Sequence, residues 1–294
     1  MSARTALLTA LAMVAFAANS LLCRLALGAG EIDAASFTTV RVVSGALTLV
    51  LISYAQRRPP SRSNADWRSA AALFAYMIFF SFAYISLGAA AGALILFGAV
   101  QLTMFGVALS SGERFPALAW LGLAVAAAGL VYLVSPGLTA PDPLGAALMA
   151  IAGIAWGVYS LLGRRADNPL SATTMNFIYC APLVALVSVI ALSQVHLSLT
   201  GVAYAIASGA LASGCGYVIW YAALRGLTAG RAATVQLSVP VIAAMGAVLL
   251  LSEAITLRLV LASVATLGGV ALVLAQRTTP PSKSRSPAQP APGQ

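Results

Sequence analysis

The chain has 294 residues, 61% of them hydrophobic and only 8% charged, and its 16 basic against 7 acidic residues give a formal charge of +9. A soluble domain carries roughly 25% charged residues, so a chain this poor in charge cannot cover itself in water, and lipid is the solvent for most of it. A backbone in lipid must satisfy its own hydrogen bonds, which leaves helices or a closed barrel. Barrel strands alternate apolar and polar residues over about ten positions, whereas stretches such as 117–134 and 202–224 are continuously apolar. The expectation is an all-α polytopic membrane protein.

Gly, Pro and charged residues divide the chain into runs of about twenty residues, the length that crosses the hydrocarbon. In chain order the predicted spans are 4–27, 34–55, 67–88, 91–110, 116–135, 143–164, 170–193, 199–223, 231–251 and 257–276. The first resembles a signal peptide, with Arg4 before an apolar stretch and small residues around Gly28, but it is long for one and matches an internal helix. It is read as a retained span. Between the third and fourth spans the only punctuation is Gly88–Gly92.

With the N-terminus inside, Arg4, Arg57, Arg58, Arg62, Arg68, Arg114, Arg164, Arg165, Arg225, Arg231, Arg277, Lys283 and Arg285 fall in inner loops and tails. Only Arg24, Arg41 and Arg258 fall toward the outside. This bias places both termini in the cytoplasm. It also gives the basic excess a topological role, with the lipid bilayer and not nucleic acid as the partner. Residues 277–294, rich in Pro and Ser, cannot bury a core and are predicted to be disordered.

The chain contains a repeat. Segment 16–26, FAANSLLCRLA, aligns with 156–166, WGVYSLLGRRA, with five of eleven positions identical. The same spacing of 140 relates Gly106 to Gly246, Glu113 to Glu253 and Gly129 to Gly269, and Ser36-Phe-Thr-Thr matches Ser171-Ala-Thr-Thr at a spacing of 135. Each repeat holds five spans, an odd number, so the second must sit upside down relative to the first. The expected organisation is therefore ten transmembrane helices as two inverted five-helix repeats, 1–137 and 138–276, followed by the tail. Inverted repeats that can exchange conformations open one midplane site to either side, as secondary transporters require. A duplication can also merely yield a stable bundle.

Gly92-Ala93-Leu94 through Gly112-Glu113-Arg114 in the first half, and Ala232-Ala233 through Pro240 to Ser252-Glu253 in the second, carry the next step. Tyr84-x-x-Leu87 and Tyr221-x-x-Leu224 stand in the preceding spans. In these features the sequence resembles the drug/metabolite transporter superfamily in its EamA-type ten-helix form, over nearly the whole chain to about Gln276. Val100 stands where the first half of that pattern carries a proline, and Ser252 where the second half carries a glycine. Within the superfamily, the aromatic-rich spans and short loops look most like bacterial exporters of aromatic amino acids. The resemblance implies a multi-pass transporter of the inner membrane.

Much chemistry is excluded. The only lysine is Lys283, in the tail, so the chain has no Walker A loop. The only histidine, His196, lies at an outer helix end, which rules out an HExxH zinc site, and neither a metal nor a cofactor is expected. Cys23, Cys180 and Cys215 stand apart within apolar segments and read as small core residues. All seven acids fall in loops or helix ends, so proton coupling through an intramembrane carboxylate is disfavoured, and downhill or exchange transport is the simpler expectation. The same scarcity of His, Lys and buried acids argues against an enzyme.

The groups left at membrane depth are neutral or aromatic, apart from Arg41. Gln101, Gln236, Asn19 and Asn176 must face protein or a wet cavity, because an amide in lipid costs several kcal/mol; they bind substrate or join helices. Tyr84, Trp156, Tyr159, Tyr179, Tyr217 and Tyr221 are candidates to stack on an amphipathic substrate, with core packing as the alternative. Trp156 and Tyr159 lie one turn apart on one helix face. Arg41, about two turns into the second span, either snorkels to the headgroups or attracts a substrate carboxylate. Pro240 should kink the ninth span and free a carbonyl. Gly88, Gly92, Gly226 and Gly230 punctuate the turns of spans three–four and eight–nine, where backbone freedom would let each pair rock. The functional expectation is export of a small-molecule substrate, foremost an aromatic or neutral amino acid. Alternatives are cationic drugs or nucleotide sugars, or a non-transporting scaffold. The oligomeric state is left open, a monomer being compatible.

Overall fold

The structure, a computed structural model, describes residues 2–62, 66–163, 166–227 and 229–276; the tail expected to be disordered, with Arg164 and Arg165, lies outside these. The helices are α1 (Ala3–Gly28), α2 (Ala34–Ala55), α3 (Trp67–Ala83), α4 (Ala89–Ser110), α5 (Ala117–Val134), α6 (Pro143–Gly163) and α7 (Pro169–Ile190). Then come α8 (Leu199–Ile206), a π-helical stretch Ala207–Cys215, α9 (Gly216–Leu224), α10 (Ala229–Gln236), α11 (Ser238–Leu251) and α12 (Leu257–Ala275). The segments Leu199–Leu224 and Arg231–Leu251 are each one span. Among the described residues nine segments are long and apolar enough to cross a bilayer. The tenth span, α3, has 17 residues, about 26 Å of helix, and the expected ten are present.

The helix starts follow from capping chemistry. Ser2, Asp33, Asp66, Asn168, Ser198 and Thr256 each accept a hydrogen bond from a first-turn N–H, which satisfies donors that the helix itself leaves free. Asp33 also accepts from the His196 N–H. Partial burial pushes the Asp33 carboxyl up, but its hydrogen bonds from Ser36, His196 and Ala35 outweigh this and hold it below the ordinary aspartate value.

The helix packing keeps its pattern when the two halves are exchanged. Helix α6 packs on α3 and α4, as α1 packs on α9 and α11; α2 packs on α7, α4 on α11, and α5 on α12. The α5–α12 crossing is made at glycine: a Cβ on Gly122 would lie 2.6 Å from the Gly269 carbonyl oxygen, and one on Gly269 would lie 2.4 Å from that of Gly122. In lipid there is little hydrophobic gain on helix association, so small residues that let backbones approach supply the packing. The two halves also share a local backbone detail. Gly112 has φ +84° and Ser252, its counterpart 140 residues on, has φ +53°. Both end a helix in the left-handed conformation.

The two ends of the bundle differ. At the end carrying the N-terminus and the basic loops, the chain segments around Gln56, Asn168 and Arg225 stand around an opening. At the opposite end the loops are tied to one another. Ile32 bridges Leu197, Ser86 donates to Asp142 (2.9 Å), and Arg258 donates to the Ser135 carbonyl (2.6 Å).

Candidate functional site

From the basic end a cavity of about 540 Å³ enters the bundle. Arg58, Asn168 and Arg225 stand at its mouth, and Trp156, Tyr159, Tyr217, Tyr221, Gln236 and Met104 line it further in. Helices α6, α9 and α10 supply most of the wall. Trp156 and Tyr159 project together from α6, ring centroids 5.5 Å apart, as their one-turn spacing requires. Gln236 closes α10. Its backbone carbonyl is four residues before Pro240, whose ring excludes the usual helical bond to it, and the helix is interrupted at Leu237, between α10 and α11. The interruption falls where the proline was expected to disturb span nine. The Gln236 amide donates to the Ala232 carbonyl at 3.2 Å.

The cavity ends on aromatic rings. Trp156 and Tyr217 meet at 5.3 Å, Phe16 packs edge-on to both, and the Tyr76 ring lies 4.8 Å from Trp156. Beyond this layer is a buried polar cluster drawn from spans one, two, three and eight. Ser208 Oγ donates to Asn19 Oδ1 (2.6 Å), and Asn19 Nδ2 donates to Tyr76 Oη (3.2 Å). Arg41 Nη2 donates to Tyr76 Oη (3.2 Å) and Arg41 Nε to Ser213 Oγ (3.3 Å). The π-helix explains how one span presents both serines. Its hydrogen bonds join residues five apart, so Ser208 and Ser213, which diverge on an α-helix, share a face. Gly209 lets this wide turn press on α2: a Cβ there would lie 2.1 Å from the Arg41 carbonyl oxygen.

The opposite end is sealed by an ion pair, Arg24 Nε to Glu253 Oε1 at 3.2 Å, with both side chains about a quarter exposed. Arg24 Nη1 also donates to the Tyr84 and Ile85 carbonyls, and Glu253 accepts from the Ala89 N–H at 2.9 Å. Two side chains 229 residues apart thus join α1, the α3–α4 turn and the α11–α12 loop.

Of the sequence candidates, Trp156, Tyr159, Tyr217, Tyr221 and Gln236 are brought together at the cavity. Asn19 and Arg41 lie together in the cluster beyond it. Arg41 does not snorkel; it is wholly buried. Gln101 and Asn176 are buried outside the lining, with Gln101 Nε2 and Asn176 Oδ1 unpartnered among the described residues. Tyr84 is buried at the closed end, where its hydroxyl donates to the Ala89 carbonyl. Tyr179 is 38% exposed on the outer face of α7, away from the cavity.

Three of the four expected hinge glycines lie in close contact with other side chains. Gly88 has φ −66°, and Gly92 and Gly226 are absent from the positive-φ residues. A Cβ on Gly88 would meet Glu253 at 2.9 Å, on Gly92 the Tyr84 ring at 2.5 Å, and on Gly226 Thr5 at 2.4 Å. Gly230 falls in the first turn of α10. Tyr76, Ser208, Ser213 and the Arg24–Glu253 pair were not among the expectations. Ala207-Ser208-Gly209 recurring as Ala212-Ser213-Gly214 is a five-residue period that signals the π-helix.

Comparison with known proteins agrees with this architecture. The EamA-like transporter family matches residues 143–275. An uncharacterized protein of Pseudomonas aeruginosa is 52% identical over 274 residues, with 93% of this chain and 96% of that protein covered. A protein of known crystal structure shares the fold with a TM-score of 0.62 at 20% identity, over 90% of this chain and 97% of that one. Residues 143–275 thus form an EamA-like transporter family domain, which supports the drug/metabolite transporter superfamily.

Proposed function

We propose that the protein is a secondary transporter that exports small amphipathic metabolites, foremost aromatic and other neutral amino acids, across a bacterial inner membrane by alternating access. The observation that carries this reading is the asymmetry of the bundle. One cavity is open at the basic end and closed beyond by the aromatic layer, the polar cluster and the Arg24–Glu253 pair. The basic end is assigned to the cytoplasm by its arginines, so the open mouth faces the pool from which an exporter loads. Trp156, Tyr159, Tyr217 and Tyr221 offer ring faces and hydroxyls to an amphipathic solute, and Gln236 adds an amide. Among the described residues no acid lines the cavity, which disfavours cationic drugs and supports gradient-driven or exchange transport. The test is flux of labelled phenylalanine, leucine and alanine into liposomes holding the purified protein. The reading expects flux of at least one that falls in Trp156→Ala; no flux of any amino acid would refute the substrate class.

A further inference from the structure

The charge within the bundle is unbalanced. Arg41 stands seven residues into α2, about 10 Å along its axis, and has no solvent exposure. Its contacts are neutral: Tyr76 Oη, Ser213 Oγ, and the rings of Tyr76 and Phe80 at 5.4 and 5.0 Å. Among the described residues its Nη1 has no hydrogen-bond partner, and the only ion pair is the one between Arg24 and Glu253 at the closed end. A buried guanidinium holds its charge, and a buried charge is ordinarily paired or well hydrogen-bonded. An unpaired one with a free pair of N–H donors is a receptor for an anion. The buried Tyr217 hydroxyl also lacks a partner, and its ring is part of the layer at the end of the cavity.

We propose that Arg41 is the anion receptor of the transport site, and that the transported solute carries a carboxylate on an apolar or aromatic body. This rests on the transport reading above and narrows its substrate class. The path is short. The cavity ends on Trp156; the Tyr76 ring backs Trp156 at 4.8 Å, and Arg41 holds the Tyr76 hydroxyl. Parting of the Trp156–Tyr217 contact brings a carboxylate from the cavity to Arg41 Nη1, a charge-assisted bond that a neutral donor cannot equal, while the body of the solute stays among the rings. Asn19 Nδ2 donates to the same Tyr76 hydroxyl and Ser208 Oγ donates to Asn19, which fixes the orientation of Tyr76 beside the receptor. Among the described residues no carboxylate in the cavity wall or the cluster is available to an ammonium group, so recognition resides in the acid end of the molecule.

Three probes separate the charges: phenylalanine, 3-phenylpropionate, which lacks the ammonium, and 2-phenylethylamine, which lacks the carboxylate. Equilibrium binding to the purified full-length protein should show both acids bound and the amine at least tenfold weaker. Arg41→Met should cut affinity for the acids at least tenfold and leave the amine unchanged, with Arg41→Lys between the two because it keeps the charge without the fork. An amine bound as well as the acids, phenylpropionate unbound where phenylalanine binds, or wild-type acid affinity in Arg41→Met would overturn the proposal. If Arg41→Met does not fold, the three-probe series on the wild type decides. Liposome flux keeps the two claims apart. Arg41-dependent binding without flux upholds the receptor and sinks the transport reading, whereas flux indifferent to Arg41→Met sinks the receptor alone.

Discussion

Replacing Glu253 with Gln tests the closed end. The substitution keeps a side-chain oxygen for the Ala89 N–H, so the loop's local geometry survives, but the attraction to Arg24 goes. A hydrogen bond to a charged group contributes about 1.5–3 kcal/mol. The pair here is about a quarter exposed at 3.2 Å, and solvent screening puts it at the lower figure. About 1.5 kcal/mol is roughly a tenfold shift in a two-state equilibrium. If the pair exists only when this end is shut, the variant should populate the outward-open state about ten times more. A native reporter is in place: Cys23 adjoins Arg24 and is fully buried. With Cys180 and Cys215 replaced by alanine, the rate at which a membrane-impermeant maleimide labels Cys23 from that side should rise about tenfold in Glu253→Gln. An Arg24→Gln variant should match it, and the double variant should add little, the signature of a coupled pair. An unchanged rate in both single variants would show that the pair is not a latch.

Three further outcomes are expected. Ser252→Gly should raise the thermal stability of the detergent-solubilised protein by about 1 kcal/mol, because it removes the left-handed penalty of a side chain at φ +53°; a fall would contradict this. Gly122→Ala should cost about 1–3 kcal/mol by overpacking, since the new methyl would face the Gly269 backbone oxygen, and a wild-type melting temperature would refute the tight crossing. Because the Asp33 carboxyl is held below its ordinary value of 3.8, its contribution to stability is present above that pH and lost as the pH falls through the lowered value. Acid melting curves of Asp33→Asn should show a smaller loss over that range than the wild type.

The span pattern was legible in the sequence because lipid imposes it: runs of about twenty apolar residues cannot be anything but helices there. The repeat was legible where helix ends demand particular residues, as at Gly112-Glu113 and Ser252-Glu253, whose shared left-handed turn the structure makes plain. The cavity aromatics were readable as a set, since Trp156 and Tyr159 share a helix face and Tyr217 and Tyr221 lie on one helix. What lay out of reach depends on pairing across the chain. Arg24 reads as an interfacial arginine until Glu253 is found beside it, and Arg41 reads equally as a snorkelling residue or a carboxylate receptor until Ser213 and Tyr76 enclose it. The α-helical period hid Ser208 and Ser213 from each other, because only a π-helix aligns residues five apart. The glycines of the turns were read for flexibility; the side chains that crowd Gly88, Gly92 and Gly226 come from elsewhere in the fold and could not be read beside them.

Alternating access is the central claim, and trans-acceleration measures it most directly. Liposomes containing the protein and loaded with unlabelled phenylalanine should take up labelled phenylalanine several-fold faster than empty ones, because a carrier that returns occupied crosses more readily than one whose Arg41 returns without a partner. Uptake that is equal in loaded and empty liposomes, or slower in the loaded ones, would contradict a single site exposed by turns to the two sides.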